Sequence, residues 1–382
     1  MLSALFAAVL AAVPPAALAS PAAGAPPKTP PPTPSSGVQI GVSSSSGTQA
    51  APPGAKQAEI QDLRVVAGAN QAPDPWELER LGVGAVQAGQ LDKARELFQM
   101  SWQAGELPTA RFNLACIDAR QGKTDAAFRE LDRAIAAGLD DETLLKSDTD
   151  LVSLRDKPAF ASVLAGARKN RAAGDAAVVK EGVFMAPAGR AKAILLVLHE
   201  AQGDPISVSG PFVGEARSRG LYLAAPRGPA RAGRKRFGWG DPARAIAAVE
   251  SAVAEALKRA GSLPLLIVGV GRGGTIAFTA AAITPGVAGA ATAGGPIDLS
   301  LGSTPQAVAA LQGKRLFAGI SREAPPGLVD GVKRGAAALK GAGVAVSVVE
   351  WPGTAAGLPA EPAKAVRDIL GALVGAPGAP PK

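Results

Sequence analysis

His199 is the chain's one histidine and Cys116 its one cysteine, and this pair bounds the side-chain chemistry available. A serine or threonine nucleophile needs a base within hydrogen-bond reach, usually an imidazole, so any such pair must be built on His199. Thr275 and Ser207 are the hydroxyls that could neighbour it, and neither stands at an activated position. One imidazole and one thiol in separate segments form no recognisable zinc set. No metal and no cofactor is therefore expected, and no intrachain disulfide can form. In a helical stretch, Cys116 reads as a small apolar filler.

The other suggestive group is a turn. The apolar run Leu265–Val268 leads into Gly269-Val270-Gly271-Arg272-Gly273-Gly274 and then an Ala-rich stretch. This has the frame of a G-x-S-x-G elbow, in which a strand turns sharply into a helix and the middle residue projects from the sheet. Small residues on either side let the two backbones meet. Glycine tolerates the strained middle position but supplies no hydroxyl or thiol there. A glycine-rich strand-to-helix turn can also hold phosphate, but no acidic ribose partner follows at the expected distance.

Strands and helices must position these groups. Val178–Met185, Ala193–Leu198, Leu221–Ala225, Leu265–Val268, Val287–Ala291, Leu316–Ile320 and Val344–Glu350 read as strands. Helices are expected at Phe212–Arg219, Pro242–Ala260, about Gly327–Lys340 and Ala363–Val374. Strands alternating with helices predict a mostly parallel sheet covered on both faces, over residues 178–375. Residues 73–172 read instead as helices. There Gly82, Gly89, Ala94 and Phe98 recur 33 positions later as Ala115, Gly122, Ala127 and Leu131. That spacing predicts repeated helix pairs with small residues where helices approach closely.

On these motifs the second half resembles the α/β-hydrolase superfamily, in its carboxylesterase and phospholipase-like branch. LLVLHEAQGDP (195–205) is similar to that branch's oxyanion-loop segment through His199, Gly203 and Asp204, although Glu200 replaces the expected glycine. GLYLAAPRGP (220–229) and WGDP (239–242) follow in the family's order. The resemblance implies an α/β-hydrolase-like fold whose serine, acid and histidine positions fall on Gly271, Arg322 and Ala356. It thus implies a domain without its catalytic triad and with no catalytic residue assigned. His199, Glu200, Gly271 and Arg272 become the candidates for lining a vestigial pocket. Residues 73–172 resemble tetratricopeptide repeats, with Asp150, Leu151, Leu154, Arg155, Pro158 and Phe160 in a capping pattern. That resemblance implies a protein or peptide partner.

Charge is uneven. Residues 181–382 hold 22 Lys/Arg against 13 Asp/Glu, so the whole of the net charge of +8 arises there. The densest run is Arg227, Arg231, Arg234, Lys235 and Arg236. A solvated basic loop is the simpler reading. Contact of Arg231, Arg234, Lys235 and Arg236 with an anionic ligand or surface is the sharper one. Aromatics are only 4% and show no interleaving with these cations, so no nucleic-acid partner is expected.

Residues 1–19 carry an apolar run and an Ala-Leu-Ala site before Ser20, the pattern of a cleavable signal peptide without a lipoprotein cysteine. Periplasmic or secreted location is expected. Residues 20–72 and 376–382 read as a disordered Pro/Ser/Gly/Ala-rich tether and tail. Three functions stay open: a noncatalytic exported binding or scaffold protein, an esterase-type hydrolase with a non-standard site, and a repeat-mediated interaction protein whose α/β half is only structural.

Overall fold

The computed structural model describes residues 74–297 and 305–374. The expected leader, tether and tail lie outside the described residues.

Four helices come first: α1 (Pro75–Gln87), α2 (Leu91–Gly105), α3 (Pro108–Arg120) and α4 (Thr124–Ala136). They form two matching pairs. Gly89 and Gly122 take left-handed φ values of 74° and 70° and end the first helix of each pair. Ala94 and Ala127 are fully buried at the start of the second helices, and Phe98 and Leu131 pack one turn further on. The ring of Phe98 lies so close to Gly82 that a Cβ there would stand 2.5 Å from it. The sequence spacing is thus a spacing of contacts. α5 (Glu142–Ser147) and a 3-10 turn (Thr149–Leu154) follow, and Leu145, Leu151 and Leu154 close the end of the second pair.

The next helix, α6 (Pro158–Lys180), runs 23 residues without a break. This corrects the expected boundary and first strand. Val178 and Val179 belong to α6, and β1 is only Val183–Met185. Two β-branched residues would suit a strand, but Val178 is buried in the α/β core as the last helical turn.

The remaining elements are β2 (Ala193–Leu198), α7 (Pro205–Arg219), β3 (Leu221–Ala225), β4 (Ala230–Gly233), β5 (Arg236–Gly238), α8 (Pro242–Ala260), β6 (Leu265–Val270), α9 (Arg272–Ile283), β7 (Val287–Ala293), α10 (Pro305–Ala309), β8 (Arg315–Ser321), α11 (Pro326–Gly341), β9 (Ser347–Trp351) and α12 (Ala363–Val374). Seven strands make one sheet in the order β1-β3-β2-β6-β7-β8-β9, antiparallel only between β1 and β3. The expected mostly parallel sheet with helices on both faces is observed.

β2 shows why its sequence is apolar throughout. Ile194, Leu196 and Leu198 face a core shared with α8, α9 and α11, while Leu195 and Val197 face one shared with α7 and α12. A strand covered twice has no polar side to alternate. Among the described residues, no helix is long and apolar enough to cross a membrane.

Helices and sheet pack directly. α6 approaches the segment after β3 so closely that a Cβ on Gly174 would fall 2.0 Å from the Pro229 carbonyl oxygen. The guanidinium of Arg244, on α8 and buried, sits in the same seam. It donates to Asp175 at 2.7 Å, Asp140 at 2.8 Å, and the carbonyls of Arg171 and Pro229 at 3.2 and 3.1 Å. Arg171 and Asp241 add an exposed ion pair at 2.8 Å across the boundary.

Candidate functional site

β6 is the central strand, and its exit carries the turn singled out in the sequence. Gly271 has φ 52° and ψ −125°, a conformation that side-chain-bearing residues rarely adopt. Its N–H donates to the Ala293 carbonyl of β7, and its own carbonyl accepts from Gly274 N–H, both at 2.9 Å. The flanking glycines are sterically required: a Cβ on Gly269 would lie 2.0 Å from the Gly273 carbonyl carbon.

A Cβ on Gly271 would stand 3.2 Å from Glu200 Cβ and 3.8 Å from the Ala356 carbonyl oxygen. The turn therefore faces the loop after β2 and the loop after β9, and the structure brings Glu200, Gly271 and Ala356 together. Arg322 goes elsewhere. Its N–H donates to the Trp351 carbonyl, and its largely exposed guanidinium faces Glu350 at 3.6 Å. Arg272, exposed at the start of α9, reaches the Gly240 carbonyl at 3.5 Å.

We expect Gly271→Ser to lower the unfolding free energy by roughly 1–3 kcal/mol, because the new Cβ must hold a glycine backbone conformation against Glu200. Thermal melting of the two proteins checks this. Equal melting temperatures would mean that the turn accepts a side chain without strain.

His199 is fully buried beneath this turn. Its Nδ1 lies 2.7 Å from the Glu200 carbonyl oxygen, and Gly228 N–H donates to Nε2 at 2.9 Å. A carbonyl can only accept and an N–H only donate, so Nδ1 carries the proton and Nε2 is the bare nitrogen. Both ring positions are occupied by backbone. The ring also stacks on Trp239 at 4.5 Å, and Trp239 Nε1 donates to the His199 carbonyl at 2.9 Å. Burial holds the imidazole well below its ordinary pKa, at about 4. The two residues whose hydroxyls could neighbour it bond elsewhere. Thr275 Oγ1 donates to the Pro296 carbonyl at 2.9 Å, and Ser207 lies in the first turn of α7, where its N–H donates to Asp204 at 2.9 Å.

The basic run forms a β4–β5 hairpin with Lys235 at its turn, at φ 53°. Arg234 pairs with Glu106 at the end of α2, and Arg234 N–H donates to the Gly105 carbonyl at 2.9 Å. Arg236 faces Asp204 at 3.9 Å. Arg231 packs against Gly138 and, with Arg227, over the ring of Phe237. Arg227, buried, also pairs with Glu181 at 3.1 Å. The hairpin thus clasps the helical half. Sequence reasoning missed it because Arg234 meets Glu106 across a separation of 128 residues and Arg231 packs on Gly138 in the other module; the Gly-Arg-Lys-Arg turn was the only local signal.

No family model matches the sequence, and no curated protein matches it. Solved structures do resemble it. An uncharacterized protein from Bacillus cereus is 13% identical over 79% of this chain and 99% of its own, with a TM-score of 0.43. Esterase PE8 is 15% identical over 50% of this chain and 97% of its own, at 0.43. Acyl-protein thioesterase 2 from Zea mays is 15% identical over the same shares, at 0.40. No residue role passes from any of them to this chain.

Proposed function

We propose that this chain is a noncatalytic binding or scaffold protein: an α/β-hydrolase-type scaffold without its triad, joined to a tetratricopeptide-like interaction module. One observation carries the reading. Gly271 keeps the projecting elbow conformation but offers no nucleophile, and the chain's single imidazole has both nitrogens committed to backbone. General-base catalysis needs a free nitrogen within reach of the attacking group. Glu200, whose Cβ faces the turn, brings an acidic side chain to the loop where an oxyanion would need donors.

The matched helix pairs support a protein or peptide partner for residues 73–172. The exposed cations of the Arg231–Arg236 hairpin support an anionic ligand or surface as a further contact, and the leader pattern of residues 1–19 supports export. A panel of ester and thioester substrates, run with a serine-reactive fluorophosphonate probe, tests the central claim. We expect no turnover above buffer and no labelling. Robust turnover that disappears in His199→Ala would establish an esterase with a non-standard site instead.

A further inference from the structure

The helical half contains a cavity of about 220 Å³, walled by Val83 and Val86 of α1, by Cys116, Ile117 and Arg120 of α3, and by Asp148 and Asp150 at the start of the 3-10 turn. Its polar side is unlike the rest of that module. Cys116 Sγ and one carboxylate oxygen each from Asp148 and Asp150 all lie within 4.8 Å of one another. Cys116 is only 6% exposed and lines the cavity. Asp148 uses one oxygen to accept from Asp150 N–H at 2.9 Å, leaving the other oxygen for a ligand. Two cations flank these groups: Arg120, 3.7 Å from Asp150 and part of the same wall, and Arg155, whose guanidinium donates to the Asp148 carbonyl at 2.5 Å.

From this arrangement we propose that Cys116, Asp148 and Asp150 bind a divalent ion of the zinc class, with the fourth position open to the cavity. One sulfur and two oxygens are the donor set of a tetrahedral borderline-soft ion rather than the all-oxygen shell of calcium or magnesium, and binding would draw them in to roughly 3.5 Å of one another. Charge favours a cation here: a thiolate and two carboxylates would set three negative charges against Arg120, beside Asp150, and Arg155, whose guanidinium donates to the Asp148 carbonyl. Binding replaces the thiol proton with the metal, so one proton leaves for each ion bound. The sequence concealed this set because Cys116 is separated from Asp148 by two helices and from any His/Cys spacing motif altogether.

The full chain titrated with Cd²⁺ in chelator-free buffer tests it, read by thiolate-to-cadmium charge-transfer absorption and by proton release. The absorption is expected to saturate at one ion per chain with one proton released, and to be displaced by Zn²⁺. Cys116→Ser should abolish it. Asp148→Asn and Asp150→Asn should each weaken binding by about tenfold or more. Absence of the band in the unaltered protein at stoichiometric Cd²⁺ overturns the proposal. So does an affinity unchanged in both asparagine variants, since the thiol would then bind alone.

Discussion

Arg244→Ala is expected to lower the unfolding free energy by roughly 3–5 kcal/mol, the range for removing one partner of a buried ion pair. The side chain is 4% exposed and serves two carboxylates and two carbonyls at once. Half-exposed Asp175 can rehydrate after the change, whereas Asp140, 12% exposed, loses its partner inside the seam. Arg244→Lys should recover little, because a single ammonium cannot span the fork of acceptors that a guanidinium fills. Arg171→Ala is the useful contrast. Its pair with Asp241 is 41% and 47% exposed, so its loss should cost less than about 1 kcal/mol. Urea unfolding followed by tryptophan fluorescence ranks the three variants. Equal losses for Arg244→Ala and Arg171→Ala would show that the buried network contributes nothing beyond a surface pair.

The second large effect depends on pH. The imidazole of His199 titrates in the folded protein at about 4, against an ordinary value of 6.5, because burial disfavours the cation. The neutral ring is therefore preferred by the folded state. Its contribution is complete above about pH 6.5 and is lost as pH falls from there to about 4, while the unfolded chain takes up a proton that the folded chain refuses. The shift corresponds to about 3 kcal/mol. Carboxylates also titrate over this range, so the comparison must isolate the imidazole. We expect the stability difference between the protein and His199→Gln to shrink by that amount between about pH 7 and pH 4. A constant difference would mean that His199 gains its proton as freely folded as unfolded, against the two backbone contacts that fix it as neutral.

The residues that could be read from sequence are those whose pattern is local. Ala193–Leu198 and Leu221–Ala225 were legible to the residue because strands covered on both faces are apolar throughout. The turn at Gly271 was legible because close backbone approach leaves glycines at fixed offsets. The start of α7 was misplaced: Pro211 removes a donor and suggests a helix beginning at Phe212. Asp204, however, accepts from the N–H groups of Ile206 and Ser207 and starts the helix at Pro205, where a missing N–H costs nothing. The last strand, expected over Val344–Glu350, runs over Ser347–Trp351, since Val344 is drawn into the core ahead of it. The candidate site was legible only in part. Glu200, Gly271 and Ala356 meet at the turn, but nothing local ties Arg244 to Asp140, 104 residues away, or Arg234 to Glu106.

The uninterrupted course of α6 bears on how force passes through the molecule. At 1.5 Å per residue its 23 residues make a rod of about 35 Å, anchored at one end among the helix pairs and at the other beneath the sheet. A rod pinned at both ends has no joint. A load applied to the helix pairs would reach the sheet as torque rather than be taken up in a slack connector, and the hairpin clasp, packed on the same rod, would resist it.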